Sequence, residues 1–223
     1  MEKKKANNAI FEDIKGDAEP TVIESVCVNC FENGETIILM TRIPFFREII
    51  VTSFKCENCG FKNNEVQFAG ELPDFGVDIL FRVMSPEDLN RELVKSEFSK
   101  IYIEELDLEI PENKKAEITT IEGLLMRVDQ ELSGDQEERK EKNPEQYAQI
   151  EAFLQRLREY REGKKLPLTI KIRDPSGNAN IKNPFAPKQD KNLQITSIAR
   201  SLDELVQMGY SIENAREELR QIE

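Results

Sequence analysis

Cys27-Val28-Asn29-Cys30 and, 25 residues further on, Cys56-Glu57-Asn58-Cys59 hold all four cysteines of the 223-residue chain. Two such C-x-x-C knuckles supply four thiolates, enough to close a tetrahedron around zinc, and the short spacing lets each loop turn backbone amides toward its own sulfurs. Gly60 follows Cys59 directly and Asn33-Gly34 follows the first knuckle; glycine takes a positive φ without steric cost. Two disulfides would use the same residues, but disulfides belong to secreted chains, and residues 1–8 are Lys-rich with no apolar run behind them. A redox C-x-x-C would open a helix in a βαβ unit, whereas both pairs here adjoin β-branched runs. The expectation is one structural zinc ion held by Cys27, Cys30, Cys56 and Cys59, with no coordination position left for a catalytic water.

Between the knuckles lie Thr36-Ile37-Ile38-Leu39-Met40-Thr41 and Glu48-Ile49-Ile50-Val51-Thr52-Ser53-Phe54, joined by Arg42-Ile43-Pro44-Phe45-Phe46-Arg47. Strands bridging two metal loops make a zinc ribbon. A unit this small buries too little surface to fold alone, so metal binding should supply much of its folding free energy.

Hydrophobic residues make up 39% and charged residues 33%, a folded chain with a heavily solvated surface. The net charge of -12 opposes a polyanion partner, because phosphate binding needs Lys and Arg to displace counterions. From Cys27 to Cys59 the bases Arg42, Arg47 and Lys55 are set against Glu32, Glu35, Glu48 and Glu57, so nucleic-acid binding is not expected. There is no histidine, which removes the commonest general base and a common metal ligand together. No apolar run approaches the ~18 residues of a membrane span, and the expected location is the cytoplasm and nucleus.

Residues 1–20 read as a flexible lead-in ending at Pro20. Strand-like runs recur at residues 65–69, 76–83, 100–104, 168–172 and 193–196, and Ser85-Pro86-Glu87-Asp88-Leu89 opens a helix with Ser85 as N-cap. Helices are predicted over about 120–132 and 144–162, the second carrying Tyr147, Ile150, Leu154 and Leu157 at helical spacing, with a charged separator between them. Phe153 and Tyr160 either extend that stripe over the sheet or stand exposed to grip a client. Asp174-Pro175-Ser176-Gly177 reads as a turn, since no histidine could activate Ser176 as a nucleophile. Residues 201–223 form a helical tail; its Met208-Gly209-Tyr210 loop resembles the start of a ubiquitin-associated domain, but the third helix such a domain needs is absent from the sequence.

Several stretches together resemble the ZPR-type zinc-finger protein family. They are Ser25-Val26-Cys27-Val28-Asn29-Cys30, the run from Thr41-Arg42-Ile43-Pro44-Phe45-Phe46-Arg47 to Cys59-Gly60-Phe61, Glu105-Leu106-Asp107-Leu108-Glu109-Ile110-Pro111, Thr119-Thr120-Ile121-Glu122-Gly123, Asp174-Pro175-Ser176-Gly177-Asn178 and Asn183-Pro184. The resemblance implies a mainly β fold with an α insertion: a four-cysteine zinc ribbon followed by a double-stranded β-helix-like domain with an inserted helical hairpin. The expected divisions are 1–20 flexible segment, 21–70 ribbon, 71–200 β-domain with the hairpin at about 120–162, and 201–223 tail. The family usually carries two such modules; this chain has one, closest to the first.

The resemblance also implies binding to translation elongation factor one-alpha, as a dedicated folding chaperone or adaptor, and association with receptor tyrosine kinase tails. An RNA-binding ribbon and an enzyme are the competing readings; no paired-acid motif or phosphate loop nominates a catalytic site. Phe45, Phe46 and Arg47 are the candidate client contacts, since aromatics and Arg dominate binding hot spots, the alternative being that Phe45 and Phe46 pack inward.

Overall fold

The computed structural model describes residues 19–42, 48–69, 72–113 and 115–222. Most of the lead-in and the loop residues Phe45, Phe46 and Arg47 therefore lie outside the described residues. Two compact units divide the chain, residues 1–71 and residues 72–223. Among the described residues no helix is long and apolar enough to cross a membrane.

The first unit is an antiparallel meander of β1 (Thr21–Val26), β2 (Asn33–Arg42), β3 (Glu48–Lys55) and β4 (Lys62–Phe68), paired in that order. The two β-branched runs between the knuckles form β2 and β3, with Leu39 opposite Val51 and Met40 opposite Ile50. Every second turn of a meander returns to the same end of the sheet. The β1–β2 and β3–β4 turns, each carrying one knuckle, are thereby brought together, although 25 residues separate them in sequence. Gly34 is needed on β2: a Cβ there would stand 2.5 Å from the Phe54 ring and 2.8 Å from the Lys55 carbonyl.

The second unit contains β5 (Gly76–Val83), β6 (Glu92–Lys95), β7 (Lys100–Ile103), β8 (Leu108–Ile110) and β9 (Glu117–Thr120), then helices α1 (Ile121–Ser133), α2 (Gln136–Lys142) and α3 (Pro144–Arg161). After them come β10 (Leu168–Asp174), β11 (Asn180–Ile181), β12 (Leu193–Ile198), α4 (Leu202–Gln207) and α5 (Ile212–Ile222). The strands form a five-stranded sheet, β12-β5-β10-β7-β8, and a three-stranded sheet, β11-β6-β9. Period-2 alternation turns Ile79, Phe81 and Val83 of β5 and Leu168, Ile170 and Ile172 of β10 inward, with Ile170 in register with Phe81 on one side and Ile103 on the other. Leu93 and Ile181 of the smaller sheet and Leu125, Leu154 and Leu157 of the helices join the same core. The fold is mainly β with helices inserted, in keeping with the sequence.

Two details differ from the sequence reading. The charged separator between the expected pair of helices is itself helical, as α2, because it is built of strong helix formers and braced by Asp135–Arg139 and Glu138–Lys142 pairs one turn apart. The element after Ser85 is a 3-10 turn over Pro86–Asn90 rather than a longer helix: the Asp88 carboxylate accepts from the Met84 and Ser85 amides and pairs with Arg91, which holds the turn tight.

Across the helical insertion, the Asp129 carboxylate on α1 accepts from Arg158 and Arg161 on α3, at 2.8 Å each, and the Arg158 guanidinium holds that carboxyl below its usual range. Tyr160 is buried and Phe153 is half-buried against the core, so of their two expected roles both take that of covering the sheet. In the tail, Ser201 caps α4 and Ser211 caps α5, Leu205 and Ala215 are fully buried, and Glu204 of α4 pairs with Arg173 of β10. The buried Arg200 guanidinium just before α4 donates to the carbonyls of Pro73, Asp74 and Pro175.

The turn after β10 is organised by Asp174, whose side chain is fully buried. Its Oδ1 accepts from Ser96 Oγ (2.8 Å), Ser176 N (2.9 Å) and Ser176 Oγ (2.8 Å), and its Oδ2 from Asn178 N (3.1 Å) and Ala179 N (2.6 Å). Gly177 takes φ +72°, where a Cβ would strike the Phe75 carbonyl at 2.4 Å. The Ser176 hydroxyl is thus spent on the turn itself.

Candidate metal centre

The two knuckles have the same backbone. In the first, the Cys27 amide donates to the Glu32 carbonyl (2.9 Å) and the Phe31 amide to the Cys27 carbonyl (2.8 Å). In the second, the Cys56 amide donates to Phe61 (2.9 Å) and the Gly60 amide to Cys56 (3.0 Å). Residue 31 therefore corresponds to residue 60, and both adopt positive φ, +63° at Phe31 and +74° at Gly60. Glycine is at ease there, whereas an L side chain is not.

Juxtaposed at one end of the sheet, the knuckles bring four sulfur atoms within 4.8 Å of one another. The Cys27–Cys59 and Cys30–Cys56 sulfurs are 3.6 Å apart. A disulfide would require about 2.05 Å, so these are free thiols, whereas four zinc–sulfur bonds of about 2.3 Å place sulfurs about 3.8 Å apart on the edges of a tetrahedron. The donor set fits zinc: soft ligands, four in number, with Cys27 and Cys56 fully buried. Among the described residues no other cluster of potential metal ligands is found.

Two residues that the sequence reading passed over complete the site. Asn29 Nδ2 donates to Cys59 Sγ (3.4 Å) and Asn58 Nδ2 to Cys30 Sγ (3.6 Å), so each knuckle sends its asparagine to a sulfur of the other. The Asn29 amide N–H also points at Cys27 Sγ, at 3.4 Å. The signal was present, since both knuckles read C-x-N-C, but which sulfur each amide meets depends on their juxtaposition. These donors bear on thiol acidity. The Asn29 side chain, helped by the Phe61 amide, draws exposed Cys59 down to about 6. At Cys56 the Cys59 amide also pulls downward, but burial and the Cys30 thiol outweigh it and push the group up to about 11.

Partners that donate to ligating groups orient them and tune the bond to the metal. Asn29→Ala is accordingly expected to speed zinc transfer to a colorimetric chelator by about tenfold, and Asn58→Ala similarly, with the sheet intact by circular dichroism. A transfer rate unchanged from wild type would remove the asparagines from the metal's environment.

A family model described as the ZPR1 zinc-finger domain matches residues 21–74, and one described as the ZPR1 jelly-roll domain matches residues 87–210. A zinc finger protein ZPR1 of Drosophila melanogaster is 42% identical over 212 residues, covering 94% of this chain and 46% of that protein. A zinc finger chaperone zpr1 of Schizosaccharomyces pombe is 41% identical over 203 residues, 91% of this chain and 43% of its own length. An uncharacterized ZPR1-like protein of Pyrococcus horikoshii is 30% identical over 177 residues, 77% of this chain and 78% of that protein. The chain thus spans about half the length of the eukaryotic relatives it matches.

Proposed function

This chain belongs to the ZPR1 zinc-finger family, and from that premise we propose that it is a non-catalytic, zinc-organised module that binds translation elongation factor one-alpha and assists its folding. The observation that carries the reading is the closed four-cysteine centre. Four sulfurs fill the coordination sphere, which leaves the metal to shape a surface rather than to activate a substrate. Relatives named as zinc finger proteins, and one named as a chaperone, favour the same reading. The net charge of -12 suits a basic client. Cytoplasm and nucleus are the proposed locations and receptor tyrosine kinase tails a further class of partner.

Purified elongation factor one-alpha, unfolded in denaturant and diluted into buffer, should recover more native, nucleotide-binding protein with the zinc-loaded chain than alone. Chelation should abolish the gain. Equal recovery with and without the chain, at a stoichiometric excess and without binding, would reject the chaperone role.

A further inference from the structure

The two knuckles share a backbone but not a surface. The second has Gly60 at its positive-φ position, and its Lys55 and Glu57 side chains pair at 2.5 Å. The first has Phe31 in the same conformation and 79% exposed, with Val28 of the same knuckle 74% exposed. On β1 the side chains alternate so that Val22, Glu24 and Val26 share an exposed face. Glu24 stands directly opposite Glu35 of β2, a like-charge pair that weakens strand pairing. Residues 21–41 contain Glu24, Glu32 and Glu35 and no lysine or arginine.

An exposed aromatic ring in strained backbone and exposed valines disfavour the isolated ribbon, and both gather on one hairpin while its structural twin is free of them. Each hairpin carries a like-charge pair, Glu24 opposite Glu35 in this one and Lys55 opposite Lys62 in the twin, and Glu35 also stands opposite Lys55. Strain of this kind persists where contact with another molecule makes use of it. We propose that the tip of the β1–β2 hairpin is a docking surface for a folded protein partner, with Phe31 and Val28 entering an apolar pocket and Glu24, Glu32 and Glu35 meeting lysine and arginine side chains on its rim. Aromatic anchors within a charged rim are the usual anatomy of such a contact. The charge argues against the other occupants. A second copy of this chain, with its own net charge of -12, and an anionic surface such as nucleic acid would each be repelled.

This inference rests on the protein-binding role proposed above and assigns it a place. It predicts an inverse relation between stability and binding. Phe31→Gly puts glycine where the twin knuckle has it, so the zinc-loaded variant should melt at or above the wild-type temperature with unchanged zinc content. Its affinity for purified elongation factor one-alpha, measured by isothermal titration, should nevertheless fall by about tenfold or more. Glu24→Lys, which turns a like-charge pair into an opposite pair, should likewise hold or raise the melting temperature and weaken binding, most visibly at low ionic strength. Affinity within about twofold of wild type for both variants would overturn the surface while leaving the client in place. A melting temperature that drops for Phe31→Gly would overturn it by a separate route, since Phe31 would then be serving the fold. If the folded, zinc-loaded wild type does not bind at all, the proposed client is wrong and the surface falls with it.

Discussion

Cys56→Ser is expected to strip the chain of zinc and to unfold residues 21–68 while the second unit stays folded. The reason is the near absence of any other interior in the ribbon. Among its described residues the buried apolar side chains are Cys27, Cys56 and Ile49, so two of the three are ligands, and the large hydrophobic cluster draws all its members from residue 77 onward. Ile23, Ile38, Met40, Phe54 and Phe61 are only half-buried. A single four-stranded sheet buries too little apolar area to offset the ordering of its backbone. Metal binding to such sites supplies roughly 10–16 kcal/mol and is in effect the folding free energy. A serine hydroxyl at position 56 is a poor zinc ligand at neutral pH and leaves three thiolates crowded without their cation. Metal analysis should find zinc falling from about one equivalent to near none. Amide exchange should become fast across β1 to β4 while β5 and β10 remain protected. Full zinc occupancy with a protected ribbon in this variant would mean that the ion is held elsewhere.

Asp174→Ala should be the most damaging single change to the second unit among its polar side chains. The carboxylate is fully buried and accepts five hydrogen bonds, from Ser96 Oγ, Ser176 N and Oγ, Asn178 N and Ala179 N. Truncation leaves backbone donors buried without acceptors, each costing about 1–3 kcal/mol, so a total loss of about 4 kcal/mol is expected. For a unit of this size that corresponds to a fall of roughly 10 °C in melting temperature, readable by calorimetry as a shift of the second unit's transition. Asp174→Asn should lie between, because the amide can still accept at one oxygen but must turn a donor toward other donors. A loss below about 1 kcal/mol for the alanine variant would show the turn held by its backbone alone.

What was legible in the sequence follows from how local each signal is. The knuckles, β2, β3, β5 and β10 could be read because cysteine spacing, β-branched runs and period-2 alternation are set by neighbours in the chain. The double-stranded architecture and inserted hairpin came from resemblance to a family, since pattern alone does not say which strands pair. β1 went unread: Thr-Val-Ile-Glu-Ser-Val is strand-like, but it follows directly on the polar lead-in, and pairing with β2 is what fixes it. β11 is two residues long and is defined by its partners Leu93 and Val94. α2 was missed for the opposite reason, a helix of strong formers with no apolar stripe, its burial confined to Gln136. Which sulfur each asparagine meets emerges only when two remote loops stand side by side.

The guanidinium of Arg200 joins two segments that lie far apart in sequence, through the carbonyls of Pro73 and Asp74 at the opening of the second unit and that of Pro175 at the turn after β10. One cation late in the chain thereby serves as the keystone for the strand that begins this unit. Trimming the polypeptide anywhere before that arginine would unfasten the unit's front as well as its back, so a minimal stable fragment must keep the late segment even if it contributes nothing to recognition.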